Sequence, residues 1–485
     1  MVQARAKSIA RHDFGSYHAT PLLDDTRGPV IATSHCLLLP PHRVNAPVLK
    51  RSLTVLSLVF VLYFTTSGGP FTTEGLVAEV GPGLALLIML LVPILWSVPE
   101  ALIIGELASM LPEEGGYYRW VRRAFGPFWA VQNGWWTWMY SLVDMAIYPV
   151  LFTQYLGFFL PSLGPDARWL VALVVIWTAA AINLRGALPV GRVSVLSGAF
   201  IILAFLAMSL AALPHITHAP WHPLLKPGRT PAGALGIGLS IALWNYIGWD
   251  NASTVQGEVV DASRSYPRAL AVALPLVTLG YLTALAAALA ATDWTRWSDG
   301  AWPAIARAAA GSLGGSALAV WIGAAGMVSA LALFNALLLS YSRIPLAMAI
   351  DGYLPAWLGR TDDRGTPRNA VVVSALCYSV FVLLSIQGLV VADVLLYAMA
   401  LFLEFGALIQ LRRTEPELRG AFRIPAGRAT VTFLAALPLV ILLGVLGLEM
   451  RDGEYGRPAV AGAIAAALLG PVVYAAMRRR GPAAA

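Results

Sequence analysis

Tyr63-Phe-Thr-Thr-Ser67-Gly68-Gly69-Pro70-Phe-Thr-Thr-Glu74 interrupts an apolar run that extends over residues 53–80. Each of the two adjacent glycines costs about 1 kcal/mol in a helix interior relative to alanine. Pro70 removes a backbone donor and its ring clashes with the preceding turn. The stretch predicts a helix that breaks and then resumes. A second run, 233–257, carries Trp244-Asn-Tyr-Ile-Gly248-Trp249-Asp250-Asn251 at its centre, with a glycine and a charge where a continuous helix would avoid both.

The rest of the chain says what kind of run these are. Of its 485 residues 58% are hydrophobic and 12% charged, with a mean hydropathy of +0.70. A soluble domain carries about 25% charged residues. This is the composition of an integral membrane protein. A helix needs about 20 apolar residues to cross about 30 Å of hydrocarbon. Windows bounded by Gly, Pro or charge fall at 53–80, 84–107, 127–160, 168–184, 190–212, 233–257, 269–291, 316–341, 370–387, 390–411, 430–448 and 459–477. Twelve spans are expected. With the N-terminus inside, inner segments hold 26 Lys and Arg and outer segments 7. The positive-inside rule then puts both termini in the cytoplasm. The basic balance, 33 Lys and Arg against 26 Asp and Glu, is accounted for by this orientation, so no nucleic-acid partner is implied.

Breaks at corresponding places of spans 1–5 and 6–10 point to an inverted-repeat transporter with its substrate near the midplane. Irregular backbone at that depth is tolerated only where it lines an enclosed cavity. The alternative is that residues 67–70 form a kink and that Gly248 is a packing glycine.

Glu74, Glu100, Asp144, Asp250 and Glu404 fall inside the apolar windows. An acid at the bilayer centre costs about 2.5–3.5 kcal/mol on insertion scales. The windows offer these acids no basic side chain, which leaves protonation, local donors or an imported cation. Several acids without a base suggest a cation or proton pathway; the alternative for each is a neutral carboxyl satisfied by a neighbouring helix. Asp250 lies in the break itself beside Trp244, Tyr246 and Trp249, aromatic faces that suit an ammonium group. The cluster Trp129, Trp135, Trp136 and Trp138 reads instead as membrane-interface or packing residues.

Other chemistries find no support. Cys36 and Cys377 lie in the N-terminal tail and in an apolar run, so no disulfide framework is expected. The seven histidines lie outside the windows and form no His-Glu-x-x-His run, and His215, His218 and His222 read as loop residues. No metal site or cofactor is expected, and there is no nucleophile constellation or nucleotide-binding glycine loop to suggest an enzyme. Residues 1–50 lack an apolar run ending in a small-residue cleavage site, so no signal peptide is expected and the stretch reads as a disordered cytoplasmic tail. The tails look too short for a signalling domain, which argues against a transport-fold sensor.

A family resemblance adds to this. Ser67-Gly-Gly-Pro-Phe71 and Trp96-Ser-Val-Pro-Glu-Ala-Leu102 resemble the plant-type polyamine uptake transporters of the amino acid–polyamine–organocation superfamily. Gly105-Glu-Leu-Ala108, Pro112-Glu-Glu-Gly-Gly-Tyr117 and Ala124-Phe-Gly-Pro-Phe-Trp129 are similar to that superfamily's second-to-third-helix pattern. Asp144-Met-Ala-Ile-Tyr-Pro-Val-Leu-Phe152, residues 244–254, Ser342-Arg343, Ala349-Ile-Asp-Gly-Tyr-Leu-Pro355 and Leu403-Glu-Phe-Gly-Ala407 continue the likeness in order. It covers about residues 50 to 425, and the first 50 residues and the last two helices carry little resemblance.

The resemblance implies an all-α, twelve-helix, LeuT-like 5+5 inverted repeat with helices 1 and 6 broken. The core would run over 51–412, helices 11 and 12 over 413–478, and a cytoplasmic tail over 479–485. It also implies transport driven by protons. Carried over by position, Ser67, Gly68, Gly69, Asp144, Trp244, Trp249, Asp250 and Glu404 would line the substrate site, while Glu106, Arg343 and Asp351 would gate it or hold it together. Glu74 and Glu100 are the candidate proton carriers. Amino-acid members usually place a Gly-x-Gly turn in helix 1, whose N–H groups hold a carboxylate. Here Pro70 removes one such donor. The expectation is therefore a proton-coupled importer of a putrescine- or spermidine-like cation in the cell membrane, working with protons and lipid and with no obligate protein partner. A cationic or neutral amino-acid transporter or exchanger is the alternative.

Overall fold

The computed structural model describes residues 49–383, 390–452 and 456–479. The expected N-terminal tail up to residue 48, and the chain beyond 479, lie outside them. Among the described residues the regular elements are helices, apart from one bridge pairing Leu53 with Val259.

Helix α1 (Val55–Thr66) is capped by Thr54, whose hydroxyl accepts from Ser57 N at 3.4 Å. It stops at the glycines, and α2 (Thr73–Val80) resumes after Gly69 and Thr72, which hold φ of 97° and 77°. Helix α3 (Pro82–Met110) passes through a π-turn at Pro93–Ser97, just before its second internal proline, Pro99. The short α4 (Gly116–Phe125) buries Tyr117, Tyr118, Trp120 and Val121 and turns Arg122 and Arg123 outward. Then come α5 (Pro127–Phe159), α6 (Pro165–Asn183) and α7 (Ala187–Ala212). Helix α8 (Pro231–Trp244) ends where the second break was expected, and the chain continues as a 3₁₀ segment, Asn251–Glu258. The remainder is α9 (Ala262–Ala291), α10 (Trp302–Ala309), α11 (Gly311–Tyr341), α12 (Arg343–Ile350), α13 (Arg368–Phe381), α14 (Val390–Thr414), α15 (Arg428–Asp452) and α16 (Gly456–Arg479).

Among the described residues eight helices are long and apolar enough to cross a bilayer, and four shorter apolar helices lie in α1, α8, α13 and α16. Each of the twelve sequence windows holds one of these helices. The short α4, α10 and α12 were not foreseen, because they fall between windows and are too short to carry an apolar run of their own. Large apolar side chains such as Val174, Leu196, Phe433 and Val440 face outward, as lipid-facing surfaces require. Inside, α1 packs along α7 and α9, and α5 packs along α11 and α14. Trp135 and Trp136 donate to the carbonyls of Ala466 and Ala467 on α16, so that part of the tryptophan cluster is helix packing.

Candidate functional site

The two breaks meet at the centre. The N–H of Ser67 donates to Tyr63 O at 2.7 Å, and Ser67 Oγ accepts from Gly69 N at 3.1 Å. The carbonyl of Gly68 accepts from Ser329 Oγ at 2.5 Å, and that of Pro70 from Trp302 Nε1 at 2.8 Å. Thr72 Oγ1 donates to Asn245 Oδ1 at 3.1 Å, joining the first break to the second. In the second break Gly248 holds φ of 102°, with its α-carbon against the carbonyl of Thr65. Asn251 ties this break to α5 and α11: its Oδ1 accepts from Tyr140 at 3.1 Å and its Nδ2 donates to Tyr341 at 3.4 Å. The freed backbone groups thus have side-chain partners from the surrounding helices, as such breaks require.

Two small cavities lie against the breaks, each about 20 Å³. One is bounded by Asp144, Asp393, Tyr140, Tyr341 and Tyr397 together with Gly248. The other is bounded by Ser67, Gly68, Gly69, Asn245 and Ser329. Thr66, Tyr148 and Trp244 border both, and the Tyr148 and Trp244 rings stack at 6.4 Å between centroids. Of the residues expected on sequence grounds, Ser67, Gly68, Gly69, Asp144 and Trp244 therefore come together here.

The others sit behind the walls. Trp249 is fully buried, with its carbonyl accepting from Tyr266. Asp250 Oδ1 and Glu100 Oε1 lie 3.1 and 3.0 Å from the hydroxyl of Tyr397, which separates them from the cavity. Glu404 Oε1 accepts from Asn133 Nδ2 at 3.4 Å. Glu74 stands apart at the start of α2, where its Oε1 accepts from Tyr155 at 3.1 Å and from Gly300 N at 2.9 Å. Beside α2 a recess of about 510 Å³ is bounded by Glu79, Asp299, Trp294 and Trp297. Burial and the neighbouring Glu79 raise the Asp299 carboxyl above its ordinary value.

Glu106, Arg343 and Asp351 are all ion-paired, and all at one arginine-rich end. Arg412 holds Glu106 through two contacts, at 2.7 and 2.5 Å, tying α14 to α3. Arg343 on α12 reaches Glu258 at 2.6 Å and Glu114 at 3.6 Å. Asp351 receives Arg119 at 2.9 Å, Arg122 at 2.6 Å and the Tyr118 hydroxyl at 2.8 Å. Arg343 and Arg412, just outside the apolar windows, are buried, and both are ion-paired with carboxylates of this end. Among the described residues no Lys, Arg or His lies within ion-pair distance of Glu74, Glu100, Asp144, Asp250, Asp393 or Glu404.

Asp393 and Tyr397 were missed by the sequence argument. Asp393 is 2% exposed, its Oδ1 has no donor, and its side chain borders the same cavity as Asp144. A signal was present: Asp393, Tyr397 and Glu404 recur at helical spacing and share one stripe of α14.

The chain is similar in sequence to known transport proteins. The family model described as amino acid permease matches residues 53–468. The polyamine transporter PUT1 of Oryza sativa subsp. japonica is 36% identical over 408 residues, covering 83% of this chain and 75% of that one. The polyamine transporter RMV1 of Arabidopsis thaliana is 36% identical over 399 residues, covering 82% and 80%. The branched-chain amino acid permease BcaP of Lactococcus lactis is 25% identical over 417 residues, covering 79% and 86%. Breaks, cavities and ion-paired end all fall inside the matched stretch, and the chain belongs to the amino acid permease family.

Proposed function

We propose that this protein imports a polyamine, of the putrescine or spermidine class, across the cell membrane by alternating access and with protons as the driving ion. One observation carries the reading: Asp144 and Asp393 border a cavity walled by tyrosines and Trp244, and among the described residues neither has a basic partner. A buried carboxylate pair without a base calls for a cation. An ammonium group would sit between Asp144 and Asp393, with Tyr148 and Trp244 offering ring faces worth about 0.5–2 kcal/mol each. Its alkyl spacer would run past Trp244 towards Ser67, Gly68 and Gly69. The relatives named for polyamines support this substrate class.

The first break supports the same choice. Ser67 and Gly69 spend their N–H groups on Tyr63 O and Ser67 Oγ, and Pro70 has none. Fewer N–H groups then remain to hold the carboxylate of an amino acid, with Gly68 and Phe71 still offering theirs, so the break favours an ammonium-rich substrate without ruling out arginine or lysine. We take the topology to be twelve spans, the first ten forming two inverted sets of five, with both termini cytoplasmic. The ion-paired end formed by Glu106, Arg343 and Asp351 is then the inner gate, and the recess beside Glu79 and Asp299 the outer mouth.

The test is uptake of labelled spermidine and putrescine into proteoliposomes, with and without an inward proton gradient. Accumulation that needs the gradient and is competed by other polyamines is the expected result. Vesicles that take up arginine or leucine but no polyamine would move the protein to the amino-acid branch, in line with its likeness to BcaP.

A further inference from the structure

The phenolic oxygen of Tyr397 meets three groups from other elements. The N–H of Gly248 donates to it at 3.0 Å, Glu100 Oε1 lies 3.0 Å away and Asp250 Oδ1 3.1 Å away. A phenol has one hydrogen. With an N–H pointing in, that hydrogen serves one carboxyl and leaves the other facing a lone pair. The second contact is a hydrogen bond only if that carboxyl supplies a proton of its own.

A separate observation leads to the same place. Among the described residues Glu404 Oε2 and Glu100 Oε2 are buried without a well-formed hydrogen bond, the Trp96 indole and the Trp249 N–H being the donors that approach Glu100. An ionised oxygen abandoned in such surroundings costs several kcal/mol, whereas a neutral carboxyl avoids most of that cost. The groups that face the site add no positive charge. Glu404 lies on α14 with Tyr397, and α5 contributes Asp144 and Tyr140. Tyr117 and Tyr266 approach from α4 and α9. Arg343 and Arg412, buried elsewhere, are held by Glu258 and Glu106.

We propose that Glu100, Tyr397 and Asp250 form a single proton-holding site, separate from the Asp144 and Asp393 ammonium site and joined to it by the Tyr397 ring. The proposal rests on the transport reading above and adds the coupling device to it. The site carries one proton beyond that of the phenol. Transfer runs through Tyr397: the Glu100 O–H passes its proton to the phenolic oxygen while the phenolic hydrogen passes to Asp250. Glu100 becomes a carboxylate, Tyr397 stays neutral and Asp250 becomes an acid, so atoms and charge balance. Gly248 fixes the phenolic oxygen and is also the turning point of the second break. Movement of that break around a cation therefore shifts the donor on which the relay depends. Asp250, expected at the substrate on sequence grounds, serves here as the proton's second seat.

The experiment uses the full chain in proteoliposomes. Glu100→Gln is expected to lose spermidine accumulation driven by a proton gradient and to keep spermidine counterflow at equal pH. Tyr397→Phe, which keeps the ring, is expected to flatten the pH profile of uptake. Infrared difference spectra, which need no substrate, are expected to show a protonated-carboxyl band in the unmodified protein that disappears in Glu100→Gln. Absence of that band overturns the proposal, as does undiminished gradient-driven accumulation in Glu100→Gln. Loss of counterflow together with accumulation would make Glu100 a structural residue and overturn it too. A protein that shows the band but moves no polyamine would sink the transport reading while leaving the proton site standing.

Discussion

Asp144 and Asp393 face one cavity with different hydrogen-bond balances. Asp144 receives the Tyr148 hydroxyl at 2.7 Å and the Tyr341 hydroxyl at 3.0 Å, so both its oxygens are engaged. Asp393 leaves Oδ1 without a donor. An incoming ammonium group therefore gains most at Asp393, since a hydrogen bond to a charged group contributes about 1.5–3 kcal/mol. Asp393→Asn should raise the KM for spermidine by about tenfold or more, at about 1.4 kcal/mol per factor of ten, with protein abundance unchanged. Asp144→Asn should also disturb the two phenols and lower the maximal rate. Saturation uptake compares them, and an unchanged KM in Asp393→Asn would remove that residue from the site. The sequence made Asp144 conspicuous because it sits deep within a long window. Asp393 lies in the first turn of its window, where an acid reads as a helix end, and only the shared stripe with Tyr397 and Glu404 marks it. Tyr397 had no signal beyond its place on that stripe, since a tyrosine in a membrane helix is ordinary. Its importance comes from Glu100 and Asp250, which arrive from remote parts of the chain.

The two breaks were the most legible elements, because glycine and proline leave a helix few alternatives. The observed gaps, after Thr66 and after Trp244, fall on the expected residues. How the gaps would be satisfied was not readable. Thr72 bonding Asn245, Ser329 bonding Gly68 and Tyr397 receiving Gly248 all join residues more than a hundred positions apart. Gly248 shows what such an element demands. Its φ of 102° is one that residues with a side chain rarely adopt, and an added Cβ would run into the carbonyl of Thr65. Gly248→Ala should cost about 1–3 kcal/mol of stability, the usual range for a strained backbone. Because the same N–H seats Tyr397, transport should fall much further than stability does. Thermal unfolding in detergent beside uptake in vesicles separates the two effects. A variant that is destabilised yet transports normally would show that the break is scaffold alone.

At the scale of the whole molecule the charge pattern and the ion pairs define the same end. Arg123 pairs with Glu415, Arg412 with Glu106, and Arg119 and Arg122 with Asp351, so the segments that the positive-inside rule assigns to the cytoplasm are joined to one another. The span to test is α13. Arg368–Phe381 is 14 residues, about 21 Å at 1.5 Å per residue, against the roughly 30 Å of a hydrocarbon core. Parity decides whether it crosses. Between Ser298 and Ala421 the candidate spans are α11, α13 and α14, the eight-residue α10 and α12 being too short to cross. Three crossings put these two exposed residues on opposite faces of the membrane; if α13 fails to cross, they share a face. In a chain with Cys36 and Cys377 replaced by serine, Ser298→Cys should react with an impermeant maleimide on intact cells. Ala421→Cys should react only once the membrane is opened. The reverse pattern would invert the orientation and leave the span count intact. Labelling of both from one side would remove α13 from the membrane, and with it the match between the first five spans and the second five.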